Sequence, residues 1–373
     1  MIKIRTFHQF NKELETLWND FEAHAESLPF QSYSFQLHWS EKVGFKKYNI
    51  DHHFLVCFVD NSVRAIFPFN LRVAFGCKVL GFLGSDEFDY NAPLLSPDMV
   101  FSEFCLIWGQ VIENLPKHDI IYFKNMPERI FNLRNFLIDV LPVKKCGDSH
   151  SLKLPNSLDV FHQMIPKKIL KDNNRMERRL NDLGILKLRI LEENSEKANF
   201  LTTMIKQKED RYLSTGARNI FEDSVIKSFY EDIGNAENVA EYIHLSALTL
   251  DREILATNMG FNYKGRFFYL MPTFNHSPKW RRFSLGRIHL QKLIQWCIEH
   301  QVTVFDFTVG NEQYKRIWCN ETMAVYQYIK IINLKGLCFF CFLKIESFIK
   351  TNPIIKALAI KIISKYNKIF NQD

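Results

Sequence analysis

Paired cysteines are almost absent from this sequence. Of eight Cys in 373 residues, only Cys338 and Cys341 stand close together, and no second pair or His at zinc-finger spacing accompanies them. Neither a disulfide framework nor a structural zinc site is expected. The other six sit singly within apolar runs such as Phe54–Phe58 and read as buried free thiols of a reducing compartment. No run reaches about 18 uncharged apolar residues, so no membrane span is expected. The opening Met1-Ile-Lys-Ile-Arg-Thr6 has no apolar core, which predicts no signal peptide and a cytoplasmic protein. There is no G-x-S-x-G elbow and no G-x-x-x-x-G-K-[ST] phosphate loop. His52-His53 alone makes no metal site, and no metal is expected.

What is present describes an ordered chain. Hydrophobic residues make up 47% and charged residues 24%, so disorder is not expected, and the length suggests two domains. The 34 Phe accompany abundant Lys, Asn and Ile and carry no functional weight. The net charge of +7 is uneven: residues 333–373 hold seven Lys against Glu346 and Asp373. The remainder is close to neutral, without a body-wide nucleic-acid footprint.

The periodicity predicts a helix over 8–24 and a second starting near Ser34 as N-cap. A hairpin of residues 53–60 and 63–69 about Asn61-Ser62 follows, then a strand over 78–84, a helix over 101–114, a strand over 120–124, a helix over 127–138 and a short strand over 143–146. The second half repeats that order: strands over 242–250 and 253–261, a turn at Lys264-Gly265, a strand over 266–271, a helix over 285–300, and strands over 303–308 and 324–332. Matching order favours two copies of one α/β unit. Helices over 166–181, 195–213 and 223–233 lie between them, and further helices over 337–349 and 354–370 close the chain about Asn352-Pro353. The expected divisions are 1–150, 151–235, 236–335 and 336–373.

Four motifs stand in one order over about residues 30–330. They are Gly81-Phe-Leu-Gly84 with Asp89-Tyr90 and Pro93-Leu94; Gln207-Lys208 with Arg211-Tyr212; Ser284-Leu-Gly286; and Phe305-Asp-Phe-Thr-Val-Gly-Asn-Glu-Gln-Tyr-Lys-Arg-Ile-Trp318. This order resembles the GNAT-superfamily acetyltransferases of the type that includes the cellulose-biosynthesis protein CelD. The resemblance implies a mixed α/β fold of two tandem GNAT-like halves, as in the Fem-type peptidyltransferases, with a helical insert and a helical tail. It implies an acyl-CoA, normally acetyl-CoA, as co-substrate, and the amine of a sugar or cell-envelope precursor as acceptor. In the family's pyrophosphate loop, Q/R-x-x-G-x-G/A, this chain has Phe283 and Ile288 at the outer positions. That departure leaves open an aminoacyl-tRNA donor or a scaffold without chemistry. A monomer is expected.

Acyl transfer to an amine needs an oxyanion partner, a base and a proton for the leaving thiolate. Ser284, Leu285, Gly286 and Arg287 open a helix whose free N–H groups and dipole suit a pyrophosphate, with Arg282 beside them; read structurally, Ser284 is only a cap. Asp306, between two Phe on a strand, is costly to bury unless used or paired. Asp306 and Glu312 are the candidate bases and Tyr314 the candidate proton donor. Asp89 and Tyr90, in an acidic loop with Asp86 and Glu87, together with Lys208, Arg211 and Lys315, are candidate acceptor contacts. On the helix after Pro166, Lys167, Lys168, Lys171, Arg175, Arg178 and Arg179 share a face that would suit an anion or simply solvent. In the tail, Ile355, Leu358, Ile362, Tyr366 and Ile369 oppose Lys361, Lys365 and Lys368, a pattern for packing on the body or for an anionic membrane surface.

Overall fold

The computed structural model describes residues 1–84, 87–236, 239 and 241–351. The acidic-loop residue Asp86 and the expected helix over 354–370 lie outside them. The first half runs β1 (Ile2–Phe7), α1 (Lys12–Glu22), α2 (Tyr33–Trp39), β2 (Asp51–Val59), β3 (Ser62–Ala74), β4 (Cys77–Phe82), α3 (Phe101–Glu113), β5 (Ile120–Pro127), α4 (Leu137–Val140) and β6 (Lys144–Lys153). Two helices follow, α5 (Leu158–Met164) and α6 (Lys167–Asn181). The second half repeats the order: β7 (Leu186–Ile190), α7 (Asn194–Thr215), α8 (Ser224–Asp232), β8 (Ile243–Leu250), β9 (Glu253–Tyr263), β10 (Arg266–Phe274), α9 (Leu285–Glu299), β11 (Val304–Val309), α10 (Lys315–Trp318) and β12 (Glu321–Ile331). Helix α11 (Leu334–Thr351) closes the described chain.

One mixed sheet holds all twelve of these strands in the order β1-β2-β3-β4-β5-β12-β6-β11-β10-β9-β8-β7. The order is a palindrome of the two halves with one exchange: β6 of the first half pairs with β11, while β12 of the second pairs with β5. The two crossing strands also pair with each other, from Glu321↔Ser151 to Gln327↔Lys144. Each half therefore completes its sheet with the other's last strand, and one large aromatic core spans the junction. Phe30 and Phe35 of the first half meet Phe261 of the second at ring separations of 5.6 and 5.2 Å.

Several sequence expectations are corrected. The second helix is capped by Ser32, whose hydroxyl accepts from the Phe35 amide; it continues as a π-helical segment, Ser40–Tyr48. Residues 127–138 form mostly a small hairpin, Arg129–Ile130 with Leu133–Arg134, because Phe131 turns the chain at φ 50°. Strand β7 lies where only helices were expected, and the short strand over 143–146 is the ten-residue β6. Of the six cysteines expected to be buried, Cys105 and Cys146 are exposed and Cys319 is half-buried.

Candidate active site

Strands β10 and β11 run parallel, yet pair only through Arg266↔Val304, Phe267↔Phe305 and Phe268↔Asp306. Beyond those pairs β10 continues to Phe274 with β9 alone. The two strands splay, and the free edge of β10 faces a cavity of about 710 Å³. Tyr269 and Thr273 of β10, Arg211 of α7, Tyr314 and Trp318 around α10, and Ser284, Leu285, Gly286 and Arg287 at the start of α9 line it.

The loop before α9 owes its shape to the residues that depart from the family pattern. Phe283 and Ile288 are 1% exposed and pack with Trp280, Leu180, Leu248 and Leu255. They anchor the turn from below. Ser284 takes a left-handed conformation at φ 52°, and its hydroxyl makes no cap bond. The Arg287 and Ile288 amides return to the Ser284 carbonyl. Among the described residues, the Leu285 and Gly286 amides have no backbone partner, so free N–H groups and the positive helix end face the cavity. A side chain at Gly286 would meet Phe274 at 3.1 Å, so its smallness serves helix–strand packing. Arg287 is half-buried, and its Nε has no hydrogen-bond partner among the described residues. Arg282 lies outside the cavity lining, over the Phe283 ring at 5.0 Å, with Arg179 at 5.5 Å from that ring. The inner face of α6 packs on α9 through Asn173–Gln291 and Glu177–Lys292, which leaves its lysines and arginines outward and exposed.

At the apex of the splay the acidic loop of the first half enters the second. The Tyr90 hydroxyl donates to Asp306 Oδ1 at 3.0 Å, the Thr308 amide donates to the same oxygen at 2.8 Å, and Arg266 reaches Oδ2 at 3.3 Å. Asp306 is 1% exposed. Burial raises its pKa, only partly offset by Arg266 and these donors. It is a closed carboxylate, fully occupied by its neighbours. Thr308 pays for the tight bend with φ 59°, a rare conformation for a β-branched residue and of the kind stored at functional sites. Gly310 follows at φ 137°, where a Cβ would stand 2.4 Å from Glu312 Oε2. Buried Lys315 ties this turn together by donating to the Val309 carbonyl at 3.0 Å and pairing with Glu312 at 3.0 Å.

Asp89 differs from Asp306. It is half-buried. Burial pushes its carboxyl up to about 6, with Asp306 and Glu312 adding like charge against Thr308 and Lys315. Burial also raises Glu312, but the Lys315 ammonium outweighs it and leaves that carboxyl below its usual range. Lys208 is pushed down to about 8 by burial and then by Arg211, against the pull of Glu312 and Asp89. Tyr314, held above its ordinary value by burial and Glu312, stays protonated at neutral pH. The structure thus gathers Asp89, Tyr90, Lys208, Arg211, Asp306, Glu312, Tyr314 and Lys315 around one splay; of these, Arg211 and Tyr314 line the cavity that ends at the start of α9. Sequence reasoning missed Arg266 and Thr308. The burial of Asp306 demanded partners, but only the parallel pairing of β10 with β11 reveals which.

A splayed pair of parallel strands thus meets a helix N-terminus at the cavity's end. Residues 167–316 match the family described as "Acetyltransferase (GNAT) domain". Over those residues the chain is similar to the GNAT acetyltransferases, a match that supports a transferase. Among solved structures, it is similar to FemX, with a TM-score of 0.61 and 10% identity over 88% of this chain and 98% of that one. It is similar to a conserved protein of unknown function from Bacteroides thetaiotaomicron at a TM-score of 0.53, with 10% identity over 88% of this chain and 100% of that one. The C-terminal domain of a putative lysylphosphatidylglycerol synthetase from Agrobacterium fabrum gives a TM-score of 0.50, with 12% identity over 89% of this chain and 96% of that one. At these identities the likeness concerns the fold. None of the curated proteins matches the chain. Among the described residues no group of His, Cys, Asp and Glu could hold a metal ion, and no helix is long and apolar enough to cross a membrane.

Proposed function

We propose that this protein is an N-acyltransferase of the CelD type that moves an acyl group, in the first instance acetyl, from an acyl-CoA to a primary amine of a cell-envelope precursor. The observation that carries this reading is the 710 Å³ cavity in the strand splay, which ends at the uncapped start of α9. The free Leu285 and Gly286 amides and Arg287, whose Nε is otherwise unpartnered, would hold the donor's phosphates. The free edge of β10 beyond Phe268 offers backbone groups to an extended amide-bearing arm, as a strand edge does to a peptide.

The chemistry divides among the clustered side chains. Asp89 is the base: it is reachable, and its raised pKa lies near the working pH. Tyr314, protonated and in the cavity wall, supplies the thiolate with a proton. Asp306 is a positioning residue that fixes Tyr90, Arg266 and the Thr308 bend. Lys315 and Glu312 hold the turn, while Lys208 and Arg211 contribute positive potential where the carbonyl oxygen gains charge. Steady-state thiol release from acetyl-CoA tests this assignment. It is expected only when a primary amine is present. Release that is indifferent to amine, or no release with any amine, overturns the reading.

Two surfaces extend the proposal. The exposed basic face of α6, beside the donor loop, would suit a polyanionic donor such as an aminoacyl-tRNA; tRNA retention that falls steeply with salt and is lost in Arg175→Ala/Arg178→Ala would favour that second reading. Leu334, Leu337, Phe342 and Ile345 of α11 are exposed and continue into the lysine-rich tail, a surface for peripheral docking on an anionic membrane from the cytoplasmic side.

A further inference from the structure

A second cavity lies across β10 from the first. Strand β10 borders both: Tyr269 and Pro272 line the donor cavity, while Leu270 and Met271 line the second, at the bulge that leaves Leu270 without a partner in the β9 register. This second cavity measures about 180 Å³ and is built at the junction of the halves. Phe30, Phe35 and Trp39 come from the first half and Phe229, Tyr230 and Met259 from the second. Its wall is aromatic or aliphatic except for the carboxylates of Glu87 and Asp89, the Tyr230 phenol and the Trp39 indole. No lysine, arginine or histidine is among the described residues that line it. Asp89 thus borders this cavity and touches the cluster at the splay apex, where Thr308 and Lys315 act on it.

We propose that this cavity is the acceptor site and that it selects a small primary amine with an apolar body, alkyl or arylalkyl, over an amino sugar. The proposal rests on the acyltransferase reading and narrows its acceptor to an apolar amine end. Of the two carboxylates, Glu87 already accepts from the Tyr48 hydroxyl and lies 3.6 Å from Lys47, which is outside the lining, so Asp89 is the one that would receive an ammonium. The aromatic wall favours a hydrocarbon body and gives the cation ring faces to approach. A hexosamine brings several hydroxyls, and burying each without a partner is costly; Tyr230, Trp39 and two carboxylates cannot satisfy a whole ring. Desolvation in such a wall lowers the ammonium's own pKa, which brings it toward that of Asp89. The step then balances: Asp89 takes one proton from the ammonium and passes it to solvent, the nitrogen lone pair attacks the carbonyl carbon, the carbon–sulfur bond breaks with its electrons and the Tyr314 proton going to sulfur, and the second nitrogen proton returns to the Tyr314 phenolate as the amide forms.

The test uses the full chain with n-butylamine, n-hexylamine, 2-phenylethylamine and glucosamine. Thermal stability with each amine alone reads binding without any acyl transfer, and thiol release from acetyl-CoA reads turnover. Hexylamine or phenylethylamine should raise the melting temperature and be acylated at least tenfold more efficiently than glucosamine. Ile226→Trp, which fills the cavity, should abolish the amine-induced shift while the acetyl-CoA shift persists. Phe229→Ala, which enlarges it, should move the preferred alkylamine to a longer chain. Glucosamine as the preferred acceptor, or an amine shift untouched by Ile226→Trp, overturns the proposal and leaves the acyltransferase reading intact. Amine shifts that follow these rules without any acetyl-CoA shift or turnover sustain the pocket and sink the donor reading instead.

Discussion

The pH dependence of turnover isolates the role of Asp89. With the amine saturating, kcat/KM for acetyl-CoA reports the ionisations of the amine-loaded enzyme. Asp89 titrates at about 6 rather than near 4, because burial outweighs its partners. A base must be unprotonated, so the rate rises with pH through that value. With a single ionisation at about 6, the active fraction is roughly 0.1 at pH 5 and roughly 0.97 at pH 7.5, a tenfold rise. A carboxylate in its ordinary range would already be ionised at pH 5 and give almost no change. Asp89→Asn should lose the limb and about 10²–10⁴ in rate, with the acetyl-CoA shift retained. The same substitution tests the cause of the raised pKa. A carboxyl raised in the folded state stabilises fully below its unfolded value, and that contribution is lost as pH rises through about 6. Asp89→Asn should therefore raise the melting temperature relative to wild type at pH 7 and not at pH 4. A profile flat between pH 5 and 7.5, or a limb that survives in Asp89→Asn, refutes the assignment.

Other expectations follow from the same geometry. Asp306→Ala removes the buried partner of half-buried Arg266 and three hydrogen bonds, and should cost on the order of 3–5 kcal/mol, read as a lowered midpoint in urea. Gly310→Ala forces a Cβ into Glu312 at a φ that side chains avoid; a loss of about 1–3 kcal/mol is expected in denaturant unfolding, together with reduced activity. Deleting residues 352–373 should reduce co-sedimentation with anionic vesicles but not with zwitterionic ones, and Ile345→Ser should reduce it further. Equal sedimentation by all forms would remove the membrane surface from the account.

The repeated order of elements was legible because it is written in local periodicity: α3 and α9, or β2–β3 and β8–β9, carry the same apolar patterns. The exchange of β6 and β12 was not. Lys144–Lys153 is polar and half-exposed, with a pattern of neither an edge nor a core strand, and only its long-range pairs identify it. Strand β7, with Leu186, Leu188 and Ile190 alternating against Lys187 and Arg189, is a lone edge strand between helices, and its five residues are too few to outweigh them. At the site, residue types were readable and roles were not. Asp306 stands in an apolar strand and so drew the assignment of base, yet its three donors close it; Asp89 in a polar loop read as an acceptor contact, and the fold half-buries it on the wall of the second cavity. Phe283 and Ile288, which departed from the phosphate-loop pattern, are the anchors that hold the loop open.

The central claim is that the splay cavity holds an acyl-CoA. Calorimetric titration of acetyl-CoA into wild type and Arg287→Gln tests it most directly. Arg287→Gln removes a charged hydrogen-bond donor worth about 1.5–3 kcal/mol, and binding should be measurable in wild type and weaker by about 10–100-fold in the variant. No binding of acetyl-CoA or longer acyl-CoAs, or binding that ignores Arg287, would contradict the account.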